Sequence, residues 1–272
     1  MRNHELLPFA DDYVTRALVA AGMFSLAGFF VVSPLALFDD RQFNGVSLWW
    51  KPMKFWLSLG VQFLTYAVLA QLLSPESRSR LSLKVVTYVA VCFLAFENVY
   101  ISIQAARARA SHFNYDTPFE ASMYSLMGAG ALWFMLVAGF LGWMLARQKD
   151  GDSSGLKLGA VLGLLIGSIM TVAVAGFMSV YGSHYFNAPG TSDEGGLPIV
   201  GWSTTATDLR PAHFFAIHII QGAPLAGWVG DQFGLGRALA VIATLIFVFA
   251  TVVFFVLPIL GRAPLGFLAA FS

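Results

Sequence analysis

Seven apolar runs, each about 20 residues or longer, divide this chain, and nothing else in the sequence constrains its fold as tightly. Hydrocarbon offers backbone N–H and C=O groups no partner, so a run of that length crosses a bilayer as a helix. The runs predict helices over residues 13–38, 53–74, 82–109, 119–147 and 156–183, one starting at Pro211, and one over 236–260. Gly222 and Pro224 predict a break in the sixth. The expected fold is all-α: a polytopic membrane helix bundle of about seven transmembrane helices, one domain over residues 1–272. Composition agrees, since charged residues make up 11% of the chain, against ~25% in soluble domains.

A net charge of +1 gives no case for nucleic acid. The single cysteine, Cys92, falls within a predicted membrane helix, which excludes an internal disulfide and a cysteine-rich metal site. The first twelve residues, MRNHELLPFADD, lack the apolar core of a cleavable signal peptide, so the first helix is expected to act as its own insertion signal. Nine Lys and Arg residues fall on the N-terminal side of the seven-helix topology and seven on the other. The ordinary loop charges lie in the turns S-P-E-S-R-S-R and R-Q-K-D-G-D-S-S-G. This predicts the N-terminus in and the C-terminus out.

The third predicted helix carries the first functional signal. Glu97, Tyr100, Gln104, Arg107 and Ser111 are spaced 3, 4, 3 and 4, which on one continuous helix confines them to a stripe about 80° wide. A charged group in hydrocarbon costs at least ~2.5–3.5 kcal/mol, so such a stripe is expected to face the bundle interior or a wet site. A Glu–Arg or Glu–His pair joining helices is the structural alternative.

The second signal is segregation. In a seven-helix chain the loops after helices 1, 3 and 5 share a side. Those loops hold W-W-K-P-M-K, R-A-R-A-S-H-F-N and S-H-Y-F-N, the last followed by G-W-S-T-T-A-T-D-L-R-P-A-H-F-F-A-I-H-I-I-Q. Of five histidines only His4 lies elsewhere; His112, His184, His213 and His218 map to this face or just beneath it. His213 and His218 are five residues apart, about 140° around a helix, with Gln221 between their directions. A neutral imidazole is the form that ligates a metal or haem iron; the alternative for His213 and His218 is a buried histidine bonded to a neighbouring helix, and for His112 and His184 an interfacial residue exposed to water. Asp208 and Arg210 precede the sixth helix, where an acidic group is ordinary capping chemistry. Trp49, Trp50, Lys51 and Lys54 read as an aromatic belt with snorkelling lysines, or as a contact for an anionic headgroup or substrate. Gly159, Gly163 and Gly167 form a small-residue stripe for close helix packing.

Ser111-His112-Phe113-Asn114 after one membrane helix, the pattern G-W-S-x-x-x-x-D-L-R-x-A-H-F-x-x-x-H-x-x-Q over residues 201–221, and W-K-P-M-K-F together resemble a group of bacterial polytopic inner-membrane proteins. The resemblance implies a multi-pass protein of the bacterial inner (plasma) membrane and brings no activity with it. Haem A synthases differ in having eight helices. The zinc-dependent ceramidase and adiponectin-receptor superfamily differs in its i, i+4 histidine pair. The leading expectation is a site at the outer (periplasmic) end of the bundle that binds haem b or a transition metal, zinc or copper, for redox chemistry. His112, His184, His213 and His218 are the candidate ligands. Tyr100, Gln104 and Gln221 would line the cofactor, and Glu97, Arg107 and Asp208 are the candidate catalytic groups. The alternatives are a zinc-dependent lipid hydrolase with Glu97 or Asp208 as base, a small-molecule transporter, or a non-catalytic membrane-complex subunit. Expected partners are the lipid bilayer, a quinone or another lipid-soluble small molecule, and further subunits.

Overall fold

The computed structural model describes residues 11–188, 190–198 and 200–270; Arg2 and His4 lie outside the described residues. Asp12 starts the first helix, accepting the Thr15 backbone N–H (2.9 Å) at the N-cap, and α1 runs Tyr13–Val32. Ser33 and Pro34 interrupt the predicted helix over 13–38, and a short α2 follows at Leu35–Phe38. Two paired strands come next, β1 (Gln42–Phe43) and β2 (Val46–Ser47). The turn between them is Asn44-Gly45, with φ of 54° and 79°. Both values are positive, as the tight hairpin turn favoured by Asn-Gly requires.

Helix α3 spans Trp50–Ala70, starting and ending earlier than the expected 53–74, because Ser74 and Pro75 begin a separate short helix, α4 (Pro75–Ser79). Then come α5 (Leu81–Ala106), α6 (Pro118–Arg147), α7 (Gly155–Tyr181), α8 (Arg210–Asp231) and α9 (Gly236–Ile259). Six runs are long and apolar enough to cross a membrane: α1 with α2, then α3, α5, α6, α7 and α9. This is a polytopic all-α membrane bundle. Leu245, Ile246 and Phe249 on α9 are each at least 61% exposed, a surface that lipid solvates and water would not. Helix α8 has 22 residues, about 33 Å at 1.5 Å per residue, and its histidines and glutamine make it the most polar of the long helices.

Helix α1 packs on α3, α5 lies against α1 and α6, and α8 is held between α7 and α9. Phe63, Tyr66, Leu94 and Leu141 fill the core, with the Tyr66 hydroxyl donating to the Phe134 carbonyl (2.9 Å). The glycine stripe on α7 does what its spacing predicts. A Cβ at Gly159 would stand 2.3 Å from the Ala223 carbonyl oxygen, and one at Gly163 would stand 2.8 Å from that of Ile219. Helix α8 is unbroken through Pro224, which corrects the expected break at Gly222 and Pro224. Tight packing of α8 on the α7 glycines supports the helix where its own hydrogen-bond ladder lacks a donor.

The two ends of the bundle differ. At the end carrying the basic turns, Gln148 joins two connections, accepting from the Ser74 N–H (2.7 Å) and donating to the Leu72 carbonyl (2.8 Å). There Asp231 caps α7 by accepting the Gly155 and Leu156 N–H groups (2.7 and 2.9 Å). The other end is built from the three long loops.

Candidate functional site

The loops after α2, α5 and α7 interlock, as the segregation of polar motifs predicts. The Asn44 side chain donates to Asp193 (3.0 Å), and the Ser192 hydroxyl and Asp193 N–H donate to the Asn44 carbonyl (3.0 and 3.1 Å). Arg41 donates to the Ala106 carbonyl at the end of α5 (3.1 Å), and Lys54 to the Val200 carbonyl (3.1 Å). The Phe113 and His184 rings are 6.3 Å apart, so the two Ser-His sequences lie side by side. Phe113 has a φ of 52° and Asn187 one of 50°. For a bulky side chain such as Phe113 that conformation is strained, and strain of this kind concentrates at functional sites.

Arg210, at the start of α8, organises the polar centre of this cap. It pairs with Asp208 (2.7 Å) and Asp193 (2.7 Å), and donates to the Tyr185 hydroxyl (2.7 Å). Asp208 is fully buried and also accepts the Ser203 and Arg210 backbone N–H groups (3.0 and 2.9 Å). Asp193 receives the Tyr185 hydroxyl (2.7 Å) and lies 3.5 Å from His184 Nε2. Burial alone would raise the Asp193 pKa; His184, Arg210 and Tyr185 outweigh it and hold the carboxyl well below the usual range.

His112 lies against Phe55 (5.3 Å) and Tyr124 (5.9 Å), with Nδ1 3.2 Å from the Ser111 hydroxyl. Burial, reinforced by the nearby Lys51, His184 and His213, holds its imidazole well below the ordinary value. His112 is therefore neutral. Nδ1 of His213 is buried without a hydrogen-bond partner among the described residues. His218 stacks on Phe214 (4.0 Å) and donates from Nδ1 to the Phe214 carbonyl (2.8 Å), leaving Nε2 as an acceptor. Gln221 donates to Gln62 (2.8 Å), tying α8 to α3. Among the described residues no three His, Cys, Asp or Glu side chains form a group that could hold a metal ion.

The stripe on α5 is only partly as its spacing implies. Glu97, Tyr100 and Gln104 are buried, at 3%, 7% and 0% exposed. Arg107 is exposed, which corrects its placement in the interior. The helix ends at Ala106, not at 109, because Ala108 turns left-handed (φ 53°) and the Ala108 and Arg109 N–H groups bond back to the Ala105 and Gln104 carbonyls. This is a Schellman ending with alanine where glycine is usual, and it throws everything beyond it off the helical stripe. Arg107 still donates to the Gln104 side-chain amide oxygen, Oε1 (2.9 Å). The buried partner of this segment is instead Glu120 on α6, 2% exposed, which takes Arg109 at 2.7 and 2.9 Å and faces Gln104 at 3.4 Å. Gln104 and Arg107 thus join Glu120, not Glu97.

Sequence reasoning missed Asp193, Tyr185, Asn44 and Glu120. Two signals could have found some of them. Asn44-Gly45 is a hairpin turn. Thr117-Pro118-Phe119-Glu120 is a capping box, in which Thr117 accepts the Glu120 N–H (3.2 Å). Asp193 and Tyr185 carry no local signature, since their partners arrive from other loops.

No family model, curated protein or solved structure matches this chain.

Proposed function

We propose that this integral membrane protein binds, at its loop-capped face, a lipid-soluble molecule whose head bears acceptor oxygens, such as a quinone carbonyl or an anionic group. One observation carries the reading. Lys51, half-buried at the start of α3, makes no hydrogen bond or ion pair among the described residues. It stands in the field of Lys54, Arg210 and Asp193 and beside His112. Its neighbours' charges are accounted for: Arg210 is committed to Asp208 and Asp193, and Lys54 to a carbonyl. A lysine Nζ held this way has N–H donors to spare, and a ligand oxygen is the partner that would use them. Under this reading α8 is the seventh crossing and the cap faces the periplasmic side of a bacterial inner membrane.

Tryptophan fluorescence tests this, because Trp49 and Trp50 adjoin Lys51. Purified protein is titrated with a short-chain ubiquinone and, separately, with an anionic phospholipid. Lys51→Met is expected to lose about 1.5–3 kcal/mol of binding, roughly tenfold to a hundredfold in affinity. Unchanged affinity for both probes would overturn the reading.

A haem b or a zinc or copper ion is the second reading. The neutral His112 and the free Nδ1 of His213 favour it, because both are in the ligating form or leave a nitrogen unused. An absorbance spectrum before and after dithionite, with metal analysis of the same sample, tests it. A Soret band or stoichiometric metal would move the redox chemistry onto the histidines. In a zinc-hydrolase mechanism the base role would rest on Glu97, since the Asp208 oxygens are already taken by Arg210 and Ser203.

A further inference from the structure

Glu97 is the polar group least accounted for by the loop-capped cluster. It lies on α5 below the Gln104–Glu120–Arg109 network, 3% exposed, and its Oε1 has no hydrogen-bond partner among the described residues. It is pressed against α6 at Gly130, where a Cβ would stand 2.6 Å from Oε1. The helices packed on α5 are α1, α3, α4 and α6, and no charged group described on any of them bears on Glu97. One turn nearer the loops is the Tyr100 hydroxyl, also buried, beside Gln104 and within the field of Glu120, Arg107 and Arg109. Residues three and four apart on a helix are neighbours, so Glu97, Tyr100 and Gln104 form a continuous polar line ending at the loop face.

A carboxylate without a counter-charge is not held at that depth, so the group is stable there as the neutral acid. A metal cation is a poor alternative occupant, because calcium or magnesium needs about six oxygen ligands and this site offers one carboxyl and one phenol. We propose that Glu97 is a proton-binding site inside the membrane, loaded from the loop-capped face through the Tyr100 hydroxyl. In the loading step a protonated water at the loop face gives a proton to the phenol oxygen. The phenol passes its own proton to the Glu97 carboxylate, and water and neutral tyrosine remain. Unloading runs in reverse, and no electron moves. The inference does not depend on which ligand occupies the cluster around Lys51.

Dicyclohexylcarbodiimide tests it on the full-length protein. The reagent adds across a protonated carboxyl: the acid proton goes to a carbodiimide nitrogen, the carboxyl oxygen bonds the central carbon, and the adduct gains one reagent mass. Peptide mapping is expected to place the adduct on Glu97 and to leave Glu120, held by Arg109, unlabelled. The yield should fall about tenfold per pH unit above the titration of Glu97. Glu97→Gln should lose the adduct. Tyr100→Phe should keep it but slow, several-fold, the deuterium exchange of the acid carbonyl band in the infrared. The wild-type mapping needs no variant to fold. No adduct at Glu97, or a yield indifferent to pH, would overturn the site. Wild-type exchange in Tyr100→Phe would overturn the route.

Discussion

His112 and Asp208 show how the cap is stabilised and how acid should dismantle it. His112 is folded into apolar surroundings with its pKa depressed below the ordinary 6.5. The unfolded chain then binds the proton more readily than the folded one. The stability that follows is present above the unfolded value and is lost as pH falls through the folded value. Thermal unfolding of the wild type should therefore weaken with acid below about pH 6.5, and His112→Phe should flatten that dependence; an unchanged slope would assign it to another group. Asp208 is fully buried and paired with Arg210. Removing one partner of a buried pair typically costs about 3–5 kcal/mol, so Asp208→Ala should lower the unfolding midpoint by an amount in that range. A shift under about 1 kcal/mol, the worth of an exposed pair, would mean that the pair is solvated.

Two elements depend on close approach. The hairpin turn carries Gly45 at φ 79°, and a Cβ there would meet the Ser192 hydroxyl at 2.6 Å. Gly45→Val should detach β1–β2 from the loop after α7, seen as faster protease cleavage within residues 190–198 while the helical circular dichroism is unchanged. Helix α8 depends on the α7 glycines, where a Cβ at Gly159 would stand 2.3 Å from backbone oxygen. Backbone cannot yield as a side chain does, so Gly159→Leu should separate α7 from α8 at a cost above about 3 kcal/mol, read as loss of folded protein in detergent. The same substitution at Gly176, where a Cβ meets nothing within 4 Å, should be tolerated and serves as the control.

At the scale of the molecule, the interlocked loops make one end of the bundle a roof and leave the other end a set of charged turns. Sidedness is testable in a cysteine-free background, with Cys92→Ala. Glu194→Cys and Tyr115→Cys, both exposed in roof loops, should react with an impermeant maleimide from one side of the membrane. Ser153→Cys, exposed in the basic turn, should react from the other. If the roof faces outward, as proposed, the roof positions are the accessible pair in intact cells. Labelling of Glu194→Cys and Ser153→Cys from the same side would break the topology.

Much of this was legible in the sequence, and the boundary is physical. Apolar length alone determined an all-α membrane bundle, because hydrocarbon permits few other solutions. Alternation of loops determined that Lys51, His112, His184 and His213 would share an end, because consecutive crossings leave no choice of side. Glycine spacing on α7 determined a close helix contact. The tertiary structure decided what local pattern could not. Arg107 left the stripe because α5 ends in a left-handed alanine, Ala108, directly after it, and capping geometry is set by what the chain must reach next. Glu120 became Arg109's partner, and Asp193 became Arg210's, because loops distant in sequence were brought together. Pro224 stayed helical because packing on α7 outweighed its missing hydrogen bond. Periodicity and composition are local and survive in the sequence. Partnership is a property of distances between elements, and it exists only once the bundle has closed.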